Sequence, residues 1–137
     1  MSSAILNVTF DCADPGTIAR FWSAVTGWPR HEEDLQPGHQ EYSVGPSAAD
    51  GIRLYFVGVP EPKIVKNRIH LDLIPPGDQQ QEIARLVKLG ASVADPQPDG
   101  VAWVILADPE GNEFCLEGAA CPEAMCVDHL PRCCAVP

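Results

Sequence analysis

Basic residues are scarce: 9 Lys and Arg stand against 19 Asp and Glu in 137 residues, a formal net charge of −10 at pH 7. Such a surface repels phosphate backbones and anionic headgroups, so no nucleic acid and no membrane is expected among its partners. Long apolar runs are also missing. The longest, Val101–Ala107, falls far short of the roughly 20 residues that span a bilayer,. The segment Met1 to Asp11 lacks a basic stretch followed by a long apolar one, so a cytoplasmic location is expected,. Cysteine is not scarce, at 6, but 4 of these lie after residue 120 and no export signal accompanies them, so they read as reduced thiols,.

Apolar residues make up 45% of the chain, enough for one core without disulfides or a metal clip,. Two octets sixty positions apart read as copies, Gly51-Ile-Arg-Leu-Tyr-Phe-Val-Gly58 and Gly111-Asn-Glu-Phe-Cys-Leu-Glu-Gly118, and point to an internal duplication,. The surrounding elements repeat too. Ile5–Cys12 alternates as a strand; Asp14 caps a helix with Pro15 at its first position, a stripe of Ile18, Phe21, Trp22 and Val25, and Gly27 at its end,. Trp28 to Pro46 is charged and turn-rich, with Gln40–Val44 a short strand, and Ile52–Val59 closes a βαβββ unit at about residues 4–59. After the proline-bearing linker 60–67 the order starts again at about 68–118. Arg68–Ile74 is a strand, Asp78 with Gln81 caps a helix striped by Ile83, Leu86 and Val87, and Gly90 ends it,. Strands near Ser92–Ala94, Val101–Ala107 and Glu113–Glu117 follow, the last two joined by the turn Asp108–Asn112,. The prediction is an α+β domain over residues 1–120, two βαβββ modules forming a curled mixed sheet around a cleft, followed by a Cys/Pro-rich tail, 121–137.

Three segments carry a family resemblance: Asn7-Val-Thr-Phe-Asp-Cys-Ala-Asp-Pro15 leading to Phe21-Trp22, Lys66-Asn-Arg-Ile-His-Leu-Asp-Leu73, and Asp108-Pro-Glu-Gly-Asn-Glu-Phe-Cys-Leu116. Together they resemble the glyoxalase/bleomycin-resistance/dioxygenase superfamily, the vicinal oxygen chelate fold, over about residues 4–118. The likeness is closest to small single-domain glyoxalase-like proteins common in actinobacteria. It implies a cleft often completed across a homodimer, and functions far more varied than the fold.

If apolar alternates face the helices, the other set faces the cleft. That set is Asn7, Thr9 and Asp11; Arg53, Tyr55 and Val57; Arg68, His70 and Asp72; and Glu113, Cys115 and Glu117. The resemblance puts Asn7, Tyr55, His70 and Cys115 at the four positions where metal-dependent relatives hold a divalent ion. Only His70 is an ordinary ligand and Cys115 a thiolate candidate, so the expectation is no resident metal, with His70 and Cys115 the ligands if one is bound. His70 is a candidate general base, with Asp72 on the same face to orient it and Tyr55 or Arg53 to stabilise an oxyanion. Cys115 is a candidate nucleophile if its pKa is lowered, and otherwise a small packing residue. Asp11 and Glu117 could hold a cationic ligand, and Arg53 could clamp a carboxylate. Trp22 reads as core and Trp28 as a plug behind the helix. In the tail, Cys121, Cys126, Cys133 and Cys134 with His129 offer soft metal ligands, a disulfide, or a loose extension,.

Three functions remain open: a binding protein for a small, aromatic or cationic natural product; a metal-independent lyase, isomerase or cyclase using His70; and a glyoxalase-type metal lyase with atypical ligands. The first is the expectation.

Overall fold

The computed structural model describes residues 2–36 and 39–118. The Cys/Pro-rich tail, with Cys121, Cys126, His129, Cys133 and Cys134, lies outside the described residues. Element order is β1 (Asn7–Cys12), α1 (Pro15–Thr26), β2 (Arg30–Gln36), β3 (His39–Val44), β4 (Arg53–Gly58), then β5 (Asp72–Leu73), α2 (Gln79–Leu89), β6 (Ser92–Val93), β7 (Val104–Ala107) and β8 (Glu113–Leu116). Hydrogen bonding divides the strands into two four-stranded sheets, ordered β1-β4-β3-β2 and β5-β8-β7-β6. In each sheet the first and last strands of the module pair in parallel and the other pairs are antiparallel. The duplication read from the octets is therefore a duplication of topology, and it gives the α+β fold of two βαβββ modules. No described helix is long and apolar enough to cross a membrane.

Both helices start and stop where local chemistry directs. Asp14 accepts the Thr17 backbone N–H at 3.0 Å, Pro15 occupies the first turn, and Gly27 turns left-handed at φ 71° to end α1,. In α2, Asp78 accepts the Gln81 N–H at 2.9 Å and Gly90 closes the helix.

Two predicted elements differ. The charged segment after Trp28 forms β2, an edge strand bonded only to β3. An edge strand with solvated faces needs no apolar alternation, so His31, Glu32 and Glu33 gave no period-two signal. Conversely, Arg68–Ile74 contracts to Asp72–Leu73. Upstream, Lys66 Nζ and the Asn67 N–H instead donate to the Glu113 side chain, at 2.8 and 3.3 Å, and downstream Pro75 and Pro76 end the ladder,. Trp28 is not a plug: it is 42% exposed.

One core serves both modules. All four phenylalanines gather about Trp22, which is 1% exposed. Its indole lies 5.7 Å from the Phe10 ring, 5.5 Å from Phe21 and 5.2 Å from Phe114, while Phe56 stacks 5.2 Å from Phe10,. Phe114 belongs to β8, so helix α1 of the first module is buried against the second sheet.

The turn Asp108–Asn112 locks this arrangement. Asp108, 2% exposed, accepts the Trp22 indole N–H at 3.2 Å. It also accepts the backbone N–H groups of Glu110 and Asn112, at 3.0 and 2.9 Å, and the Asn112 amide at 2.9 Å. Gly111, at φ 84°, supplies the left-handed step that closes the turn,. Glu110 then reaches the start of α1, accepting the N–H groups of Ala13 and Asp14 at 2.7 Å each,. Replacing Asp108 with Ala should cost about 3 kcal/mol in chemical denaturation, because it orphans a buried indole N–H and unties the turn. Trp22→Phe, which loses the indole N–H and part of the ring but keeps the turn's own bonds, should cost about 1–2 kcal/mol. Equal costs would show that the turn's own bonds to Asp108 carry no separate weight.

Candidate functional site

On the first sheet the polar alternates form a connected network. β1 and β4 lie in parallel register, with Asn7 opposite Arg53, Thr9 opposite Tyr55 and Asp11 opposite Val57. Arg53 Nε donates to Asn7 Oδ1 at 3.3 Å, and its Nη1 donates to Glu33 Oε1 at 3.1 Å. The same Glu33 oxygen accepts the buried Ser43 hydroxyl at 2.7 Å. Tyr55 donates its phenol to Glu41 Oε2 at 2.7 Å, beneath the Arg53 guanidinium 5.9 Å away. Burial, reinforced by the Glu41 bond, pushes the Tyr55 phenol up to about 12,. Glu33, Glu41 and Ser43 complete this network; sequence reasoning did not single out Glu33 because β2 carried no strand signal, nor Glu41 and Ser43 because the strand Gln40–Val44 had no assigned partner.

The second sheet repeats the geometry with different chemistry. Cys115 lies between Asp72 and Ile105 as Tyr55 lies between Thr9 and Ser43, so the two octets do superpose. Burial, together with the adjacent Asp72 carboxylate, pushes the Cys115 thiol up to about 11,. Asp72 is thus the neighbour of Cys115, while His70 is exposed in the segment before β5. Glu117, half-buried just past β8, donates its backbone N–H to Leu73 O at 2.8 Å. Among the described residues no hydrogen bond joins the network of the first sheet to Asp72, Cys115 or Glu117.

The four metal positions implied by resemblance fit a divalent ion poorly. The Asn7 amide oxygen accepts from Arg53, and the Tyr55 phenol is committed to Glu41. An amide and a phenol are uncommon ligands for a divalent ion even when free, so two of the four positions offer it little.

A cavity of about 390 Å³ opens where the edge of β1 meets the segment 63–71. Its floor is apolar: Val8, Phe10, Trp22 and Leu71. Its mouth is polar, with Thr9 and Asp11 from β1, Lys63, Lys66 and Arg68 from the linker, and Glu113 from β8. Hydrogen bonding by Lys66 holds the Glu113 carboxyl below its usual range. Asn67 also lines the cavity, and its buried Oδ1 has no hydrogen-bond partner,. Thr9 and Asp11 are the two predicted ligand-facing residues that reach this cavity; Asn7, Arg53, Tyr55, Val57, His70, Asp72, Cys115 and Glu117 do not line it. The linker cations and Asn67 were missed, although Lys63-Ile-Val-Lys-Asn-Arg68 is the densest basic stretch of an acidic chain.

A larger hollow, about 550 Å³, lies between the end of α1 and β5, beside Trp28 and Ile74. Its main polar group is satisfied. Arg85 donates to the Ala24 and Val25 carbonyls at 3.0 and 3.1 Å and grips Glu82 with two bonds, of 2.8 and 2.7 Å. It caps the α1 C-terminus and leaves nothing for a ligand to complete.

Comparison with solved structures finds the same fold repeatedly. A fosfomycin resistance protein from Mesorhizobium loti superposes with a TM-score of 0.65 at 16% identity, covering 93% of this chain and 100% of its own. An antibiotic-binding protein from a Streptomyces species gives 0.58 at 21% identity, with 85% and 96% covered. The trypanothione-dependent glyoxalase I of Leishmania major gives 0.59 at 13% identity, with 85% and 87% covered. No curated protein matches in sequence. The model of the glyoxalase-like domain matches residues 7–117, the span of both modules and the turn that locks them, and the chain belongs to that family, within the glyoxalase/bleomycin-resistance/dioxygenase superfamily.

Proposed function

We propose that this protein binds a small organic molecule, a natural product or related compound, in the cavity between β1 and residues 63–71, with no resident metal and no covalent chemistry. The observation that carries this reading is the cavity itself, about 390 Å³, with Val8, Phe10 and Leu71 in its wall and a few charged groups from β1, the linker and β8 around them, the mix of apolar wall and sparse polar groups that small-molecule sites share,. An antibiotic-binding protein and a fosfomycin resistance protein among the structural neighbours support a small-molecule role for such a fold. We place the activity in the cytoplasm, with a homodimer as the working assembly.

The lyase or isomerase alternative would use His70 as base with Asp72 behind it. That pair has no common partner here, since Asp72 lies beside Cys115 and His70 is exposed, so binding is the reading we take. The metal-lyase alternative needs a ligand set that the Asn7 amide and the Tyr55 phenol do not offer.

Fragments of one or two fused rings, screened by amide chemical-shift mapping, should perturb Thr9, Asn67, Leu71 and Asn112. Thr9→Trp, which puts a ring into the cavity from an exposed position, should abolish those shifts without lowering Tm. Chelation and elemental analysis should find metal well below one equivalent and unchanged fragment binding. Shifts that map elsewhere, or survive Thr9→Trp, would overturn the assignment.

A Cys115 thiol near 11 should be inert. At pH 8 its thiolate fraction is on the order of a hundredfold below that of an ordinary cysteine, so iodoacetamide should alkylate it slower by about that factor, as peptide mapping would read. Labelling at the rate of a free cysteine would restore the nucleophile reading.

A further inference from the structure

Resting on that reading of the cavity, we infer that its ligand is an organic acid: a flat apolar body carrying an anionic group. Global charge argues the other way, since a protein of net charge −10 draws cations from a distance,. The mouth of the cavity reverses that balance. Lys63, Lys66 and Arg68 are three of the nine basic residues of the chain, and all three sit there against two carboxylates, Asp11 and Glu113.

How those charges are committed decides the sign a ligand meets. Lys66 is spent on Glu113 at 2.8 Å. Lys63 and Arg68 make only backbone bonds within their own segment, to Val65 O at 3.0 Å and Lys66 O at 3.4 Å, and neither enters an ion pair among the described residues. Elsewhere the contrast is clear: Arg53 and Arg85 are paired to Glu33 and Glu82. Two cations without carboxylate partners at the rim of an apolar cavity suit a carboxylate or sulfonate, with the arginine offering a two-point contact. Beside these cations the half-buried Phe10 and Leu71 offer an apolar wall to the body of the ligand,.

A matched series varies the charge on one ring: indole-3-acetate, the neutral indole-3-ethanol and the cationic tryptamine. Titration calorimetry with shift mapping on the full chain should rank indole-3-acetate tightest, about tenfold over indole-3-ethanol and further over tryptamine. The double variant Lys63→Ala, Arg68→Ala, both exposed and outside the core, should erase the preference for acid over alcohol; a preference that survives it would overturn the inference. Tryptamine binding the same amides as tightly as the acid would overturn the inference and leave the cavity reading standing. Absence of shifts at Thr9, Asn67 and Asn112 with every probe would overturn both.

Discussion

The structure depends on a carboxylate that never reaches solvent. Asp108 holds the turn of the second module closed with one oxygen and takes the indole N–H of Trp22, a first-module helix residue, with the other. A buried carboxylate is costly unless every lone pair is used, and here the turn's own amides use them. The result is directional. Trp22 can sit in only one orientation, and around that indole the four phenylalanines arrange themselves from β1, α1, β4 and β8. Glu110 adds a second tie by capping α1 across the same seam. A five-residue turn thus turns two half-domains into one core.

The cavity follows from how that seam is made. β1 and β5 are edge strands, each bonded on one side only, and the chain between the modules must cross from one sheet to the other beside them. Because β5 shortens to two residues, the crossing segment is fastened to the Glu113 side chain instead, by Lys66 Nζ and the Asn67 backbone N–H. The side chains of the core, Phe10 and Trp22, are left as the floor of a space that the linker roofs with cations. The same aromatic residues therefore belong to the core and to the cavity lining.

The polar alternates of the first sheet have a different character. Arg53, Glu33, Ser43, Tyr55 and Glu41 satisfy one another, and a network so complete offers a ligand little to exchange,. Tyr55, one of the four positions where the resemblance implies a metal ligand, belongs to this network, and its proton goes to Glu41. The second sheet carries the Cys115 thiol at the matching place.

The sequence by itself determined what local physics can determine. Helix caps at Asp14 and Asp78, glycine stops at Gly27 and Gly90, and the strands at β1, β4 and β8 are written in residues a few positions apart, where propensity and periodicity act, and the duplication with its Tyr55–Cys115 correspondence in the likeness of two octets sixty positions apart. β2 stayed hidden because an edge strand in water needs no apolar face. Only the tertiary structure decided which polar residues meet. Thr9 and Asp11 line the cavity together with their apolar alternates Val8 and Phe10, because it opens at the edge of β1, while Glu33 and Glu41 join Arg53 and Tyr55 through a strand pair that the sequence did not announce. Asp72 finds Cys115 because strand pairing, and not nearness to His70, sets its neighbours. Lys63, Asn67 and Arg68 were legible as a basic cluster in an acidic chain. That this cluster roofs an aromatic floor depends on where the linker crosses between two sheets, a placement fixed by long-range packing around Trp22 and by nothing local to the linker itself.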